Sequence, residues 1–235
     1  MKFIIDPKIF EKYPGTVVGV VLAKNVDNSG HDDQIATMLR EEEKIIKENF
    51  EPETLSQDQK INCWRKAYSS FGVKPKDAKS SVENLYKMVT RGIELRKINK
   101  LVDIYNYICL KHMMPVGGED IDKMVGDMQL TIAGANEKPV ELLGDHAPEP
   151  PAEGEVLYKD DDSAICRRWN WREADRTKLT EKTKNAILVI EEIAPLVRSD
   201  VESAVEELKK LVEKFCSGNV STYIMDEDNR ELGIK

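Results

Sequence analysis

Residues 16–23, Thr-Val-Val-Gly-Val-Val-Leu-Ala, run without a charge and read as a buried strand, since short β-branched, apolar runs fit a sheet interior. Turn chemistry follows over residues 25–30. Such a strand needs layers around it, and the flanking patterns supply them. Over residues 32–50, Ile35, Met38, Leu39, Ile45, Ile46 and Phe50 recur at helical spacing. Ser56 with Gln59 forms a capping-box pattern before a stripe of Ile61, Trp64, Tyr68 and Phe71 that stops at Gly72. Ser80 with Glu83 repeats it before Leu85, Met88 and Val89, with Gly92 as the stop. Residues 101–113 form a further helix that buries Leu101, Ile104, Tyr105, Ile108 and Cys109. After Pro195, Ser199 and Glu202 cap a last helix, with a stripe from Val201 to Phe215 and a stop at Gly218. Residues 128–132, 154–159, 164–169 and 186–190 read as strands expected to join one sheet, and Val220, Thr222 and Ile224 alternate like an edge strand. The fold class is α+β: one domain over residues 1–235, with a central mixed β-sheet flanked by helices.

The chain is 40% hydrophobic and 33% charged, a balance that supports a core and a soluble surface. It has no apolar run of membrane-spanning length and no cleavage-site pattern, so a cytoplasmic protein without a membrane partner is expected. Cys63, Cys109, Cys166 and Cys216 lack paired short spacings and read as reduced thiols. His31, His112 and His146 are equally scattered, so neither a metal cluster nor a histidine-based triad is expected, and no cofactor. Net charge is −8, yet residues 74–100 carry eight Lys/Arg against three Asp/Glu and residues 164–184 seven against three. Two basic segments on an acidic protein suit a nucleic-acid backbone, or are solvated faces.

The stretch 164–183 holds two of the three tryptophans. Read as a strand through Arg172, it turns Arg167, Trp169 and Trp171 to one face and Arg168, Asn170 and Arg172 to the other. The second row offers fixed donors to an anionic or carbonyl-bearing ligand. Tryptophans in such a pattern also serve as core, with arginines covering their rings. On the helix over 101–113, Lys100, Asp103 and Asn106 form a polar stripe. The following Pro115-Val116-Gly117-Gly118-Glu119-Asp120 reads as a structural turn, with Asp120 capping a short helix over 121–125. It lacks the fingerprint of a phosphate loop.

Residues 98–107, Ile-Asn-Lys-Leu-Val-Asp-Ile-Tyr-Asn-Tyr, followed by Pro115, Asp120, Lys123, Gly126-Asp127 and Leu142-Leu143-Gly144, resemble the central editing domain of the phenylalanyl-tRNA synthetase beta subunit. Residues 176–185, Arg-Thr-Lys-Leu-Thr-Glu-Lys-Thr-Lys-Asn, are similar to that domain's close. The 115–120 and 167–172 versions look like its stand-alone relatives, which lack aminoacylation domains. The resemblance covers residues 64–191 and leaves 195–235 as a C-terminal helix and strand extension. It implies a domain that hydrolyses a wrongly attached amino acid, typically tyrosine, from the terminal adenosine of tRNA. Such a site can work by fixing the acyl group, stabilising an oxyanion and orienting one water, without a protein nucleophile. The family's pocket arginine and asparagine align with Lys100 and Asn106. Its pocket histidine falls at Gly117, and the glutamate that recognises a tyrosine hydroxyl falls at Val189, two residues before Glu191. Val189 would leave a buried phenol hydroxyl unpaired at a cost of ~1 to 3 kcal/mol, so a side chain other than tyrosine is expected.

The candidate site therefore has Asn106 and Asn170 as catalytic groups and Lys100, Gly117, Gly118, Glu119, Arg168, Arg172 and Thr177 as substrate-binding groups. The expected partner is the aminoacylated 3′ end of tRNA, not DNA, and the expected activity is deacylation in trans. The alternative is a non-catalytic module that holds RNA or an amino-acid-like ligand on the same fold. The sequence leaves open which amino acid or tRNA is recognised, and the oligomeric state.

Overall fold

The computed structural model describes residues 1–145, 147–193 and 198–235. His146 and Pro195 lie outside the described residues. The strands are β1 (Lys2–Ile5), β2 (Val17–Lys24), β3 (Val116–Asp120), β4 (Met128–Ile132), β5 (Val156–Lys159), β6 (Ala164–Arg167), β7 (Arg172–Glu173), β8 (Asn185–Glu192), β9 (Asn219–Met225) and β10 (Glu231–Gly233). The helices are α1 (Pro7–Lys12), α2 (Asp33–Asn49), α3 (Gln59–Ser70), α4 (Ser81–Thr90), α5 (Lys100–His112) and α6 (Arg198–Cys216). The fold is a single α+β domain in which a mixed six-stranded sheet, ordered β10-β1-β4-β5-β6-β7, is flanked by helices. Its one parallel pairing among the described residues is β1 with β4. A second, antiparallel sheet is ordered β3-β8-β2-β9.

The uncharged run becomes β2, paired on both sides and buried from Val18 to Ala23. A Cβ on Gly19 would collide with Val205 Cγ2 and come within 2.9 Å of Val201 Cγ1, both on α6. The glycine thus seats the last helix directly on the sheet. Helix α5 is buried along almost its whole length, as expected of a helix enclosed by its neighbours. Its cap is the Asn99 side chain, which accepts from Val102 N at 3.1 Å.

Several local expectations change. The residues expected to form one sheet divide: β4, β5 and β6 lie in the six-stranded sheet and β8 in the other. Residues 116–120 are a strand, not a turn, because both glycines adopt extended backbone in register with β8. The short helix after it shrinks to a single 3-10 turn, Ile121–Lys123, capped by Asp120. Asp58, not Ser56, caps α3. Ser80 caps α4 through Glu83 N as expected, but the buried stripe runs through Val82, Tyr86 and Val89, leaving Leu85 and Met88 half-buried. Ser199 lies inside α6 rather than before it. Finally, β6 stops at Arg167 because Arg168 and Trp169 turn left-handed, at φ 50 and 66.

Gly19→Ala should lower unfolding stability by about 1–3 kcal/mol, the usual range for overpacking a close contact, as a shift in the urea midpoint with unchanged slope.

Candidate functional site

A cavity of about 210 Å³ is lined from both sheets. Gly117 and Glu119 share one face of β3, and Ile187, Val189 and Glu191 share the adjoining face of β8, as the two-residue strand period requires. Across the cavity, the six-stranded sheet contributes the cross-strand row Tyr158, Cys166 and Glu173. Helix α4 adds Ser81, Asn84 and Leu85, and α5 adds Tyr105 and Asn106.

Glu191 is the most heavily bonded group. Its Oε1 accepts from Tyr158 Oη at 2.5 Å and Trp169 Nε1 at 2.7 Å, and its Oε2 from Asn170 Nδ2 at 2.8 Å. Asn170 Oδ1 in turn accepts from Tyr68 Oη at 2.9 Å. The left-handed turn turns Trp169 inward, where its ring meets those of Trp64 and Tyr13 edge-on, centroids 5.0 and 4.8 Å away. Three donors favour the carboxylate, yet burial outweighs them and raises the Glu191 pKa to about 7.

Glu119 and Glu173 are differently served. Among the described residues, Glu173 Oε1 accepts only a long bond from Gly118 N, 3.4 Å, and it lies 3.4 Å from where a Cβ of Gly117 would stand. The glycine therefore leaves the space into which this carboxyl points. Burial lifts Glu173 to about 7. Burial and repulsion from Glu173 push Glu119 well above the glutamate range, with Thr177 and Arg176 opposing the rise. Among the described residues, neither Glu119 Oε2 nor the Thr177 hydroxyl completes a hydrogen bond. Burial also holds the Cys166 thiol well above its ordinary pKa, which removes it as a thiolate nucleophile. Among the described residues, no group of three or more His, Cys, Asp and Glu is arranged to hold a metal ion.

Of the residues singled out from sequence, Asn106, Asn170, Gly117, Gly118, Glu119 and Arg172 line this cavity. Lys100, Arg168 and Thr177 are not among its lining residues. Lys100 reaches the Phe215 carbonyl at 3.2 Å and Asp27 at 3.6 Å. The expected polar row of Arg168, Asn170 and Arg172 does not form, because the turn breaks the alternation. Both guanidiniums instead stack on Trp171, 4.2 and 4.6 Å from its centroid, and Asn170 points inward. The basic segment 164–184 is largely neutralised internally: Arg167 pairs with Glu155 and Arg176 with Asp160 through two hydrogen bonds each. In the other basic segment, Lys74, Lys76 and Arg91 stay exposed. Glu173 and the α4 residues were not singled out. The one available signal was an acidic doublet, Glu191-Glu192, closing an otherwise apolar strand.

The family model described as the B3/4 domain matches residues 63–217. The phenylalanine–tRNA ligase beta subunit of Fusobacterium nucleatum is 28% identical over 105 residues, which cover 45% of this chain and 13% of that one. The chain thus spans only a small part of that relative. A solved N-terminal fragment of the phenylalanyl-tRNA synthetase beta subunit from Pyrococcus horikoshii aligns over 95% of this chain and 54% of its own, with 11% identity and a TM-score of 0.48.

Burial also raises Glu192, to about 8. Folded Glu173, Glu191 and Glu192 thus keep protons up to about 7, 7 and 8, against 4.5 for ordinary glutamate. Their contribution to stability is complete below the unfolded pKa and is lost as pH rises through the folded values. Thermal unfolding from pH 5 to 8.5 should show a falling midpoint, by up to about 1.4 kcal/mol per pH unit for each group still protonated. Glu192→Gln should flatten the upper part of that fall.

Proposed function

The chain belongs to the B3/4 domain family, and on that premise we propose that it is an editing-type deacylase that hydrolyses the aminoacyl ester at the 3′ end of a tRNA in trans. The observation that carries this reading is the cavity itself: its lining brings Asn106, on the helix bearing the editing-like motif, together with a half-buried carboxyl, Glu173, raised to about 7. A base with a pKa near the working pH combines a useful ionised fraction with useful proton affinity.

The aminoacyl ester is activated, so one oriented water suffices. In the proposed reaction Glu173 takes a proton from water as the water oxygen attacks the ester carbonyl. The Asn106 amide donates to the developing oxyanion. The intermediate then collapses, the C–O bond to the ribose breaks, and the proton on Glu173 passes to the departing ribose oxygen. The products are a free amino acid and a tRNA with its terminal hydroxyl restored. Cys166 has no part in this, since its thiol stays protonated. Arg172, on the cavity lining and 38% exposed, with Trp171 beneath it, suits the phosphate and base of the terminal nucleotide. Lys74 and Lys76, exposed in the loop before α4, suit the backbone upstream.

A second reading has a specific support. Gly117 supplies no imidazole where the synthetase domain has a histidine, and Glu191, held by three donors, has little capacity left for water. On that reading the domain binds RNA or an amino-acid-like ligand without hydrolysis.

Deacylation of a full panel of misacylated tRNAs separates the two. Glu173→Gln should lower kcat by about 100-fold or more and Asn106→Ala by about 100-fold, with little change in KM. The wild-type rate should rise with pH and level off above about 7, the value to which Glu173 is raised. No turnover with any tRNA, together with ligand binding that Asn106→Ala weakens, would establish the non-catalytic reading instead.

A further inference from the structure

The cavity is lined by three carboxyl groups, Glu119, Glu173 and Glu191, against one guanidinium, Arg172. Glu191 is satisfied within the protein. Glu173 Oε1 accepts from Gly118 N at 3.4 Å, and Glu119 Oε2 has no hydrogen-bond partner among the described residues. An acceptor left unpaired in a buried site is costly, and Glu119 borders this space beside the half-buried Glu173. The walls beside them are apolar, including Leu85, Met128, Ile187 and Val189. At about 210 Å³ the cavity is smaller than the ~300 Å³ lower bound for drug-sized ligands, which suits a single amino-acid moiety. Apolar walls ending in an unpaired acceptor match an aliphatic stem with a donor-bearing tip. A hydroxyl brings one donor and an ammonium three with a full charge.

We infer that the amino acid removed by this domain carries a positively charged side chain, as lysine or ornithine does, and that Glu119 receives that charge. This rests on the deacylase reading and adds the substrate class to it. A bound ammonium supplies the donors that the Glu119 carboxyl lacks.

Lysinamide and norleucinamide both carry the α-ammonium, but only lysinamide has a charged group at the end of its side chain. Titration calorimetry of the intact protein should show lysinamide binding ~10- to 100-fold more tightly, the range for one charged hydrogen-bonded contact. Glu119→Gln, nearly isosteric, should bring that ratio close to one. Equal wild-type affinities would overturn the inference and need no variant. A ratio that survives in a folded Glu119→Gln protein would overturn the assignment to Glu119. The binding readout is independent of hydrolysis. Equal hydrolysis of lysyl and norleucyl esters would sink the inference and leave the deacylase standing. A lysinamide preference with no ester ever hydrolysed would sink the deacylase and keep the cation site.

Discussion

Glu191 stands on the four-stranded sheet, and every group that donates to it comes from across the cavity: Tyr158 on β5, and Trp169 and Asn170 in the turn after β6. Asn170 extends the chain of bonds to Tyr68 on α3, and the Trp169 ring is wedged against Trp64 and Tyr13. One carboxyl group therefore ties together two sheets, a strained turn and a helix. In a low-dielectric interior such a network is strong when complete and costly when one member is lost. It fixes the distance between the sheets, and hence the width of the cavity. The left-handed backbone at Arg168 and Trp169, unfavourable for both residue types, persists because the indole and amide it turns inward are held this firmly.

Position in space, more than position in sequence, decides what the charges do. The 164–184 segment is basic along the chain, yet Arg167 and Arg176 are each absorbed by a carboxylate of the same sheet region, Glu155 and Asp160. The cavity beside them is acidic. What remains outward is a half-exposed Arg172 and lysines such as Lys74 and Lys76. The interior is thus acidic and the exposed side chains named here are basic.

Local patterns were legible wherever neighbours in sequence determine them. The Ser80 cap, the uncharged β2 and the strand at 128–132 follow from a cap, a run and an alternation. Errors arose where partners distant in sequence decide. Two glycines at 117 and 118 signal a turn locally, but pairing with β8 extends them. The alternation after Ala164 fails at Arg168 because Trp169 is drawn to a carboxylate 22 residues away. The motif-bearing helix located one wall of the cavity through Asn106, and the motif departures located Gly117 and Val189. Glu173 was not visible, since nothing near it in sequence indicates that it faces β3.

The strand order has a consequence for modularity. The segment that matches the family model, residues 63–217, contains β8 but not β2. Yet β2 is the strand on which β8 and β9 both pair and against which α6 rests at Gly19. Cut out alone, the matched segment would expose one edge of β8, the very strand that presents Ile187, Val189 and Glu191 to the cavity. The recognisable unit of sequence and the cooperative unit of structure are therefore different objects. The part of the chain that carries no motif is the part that backs the wall.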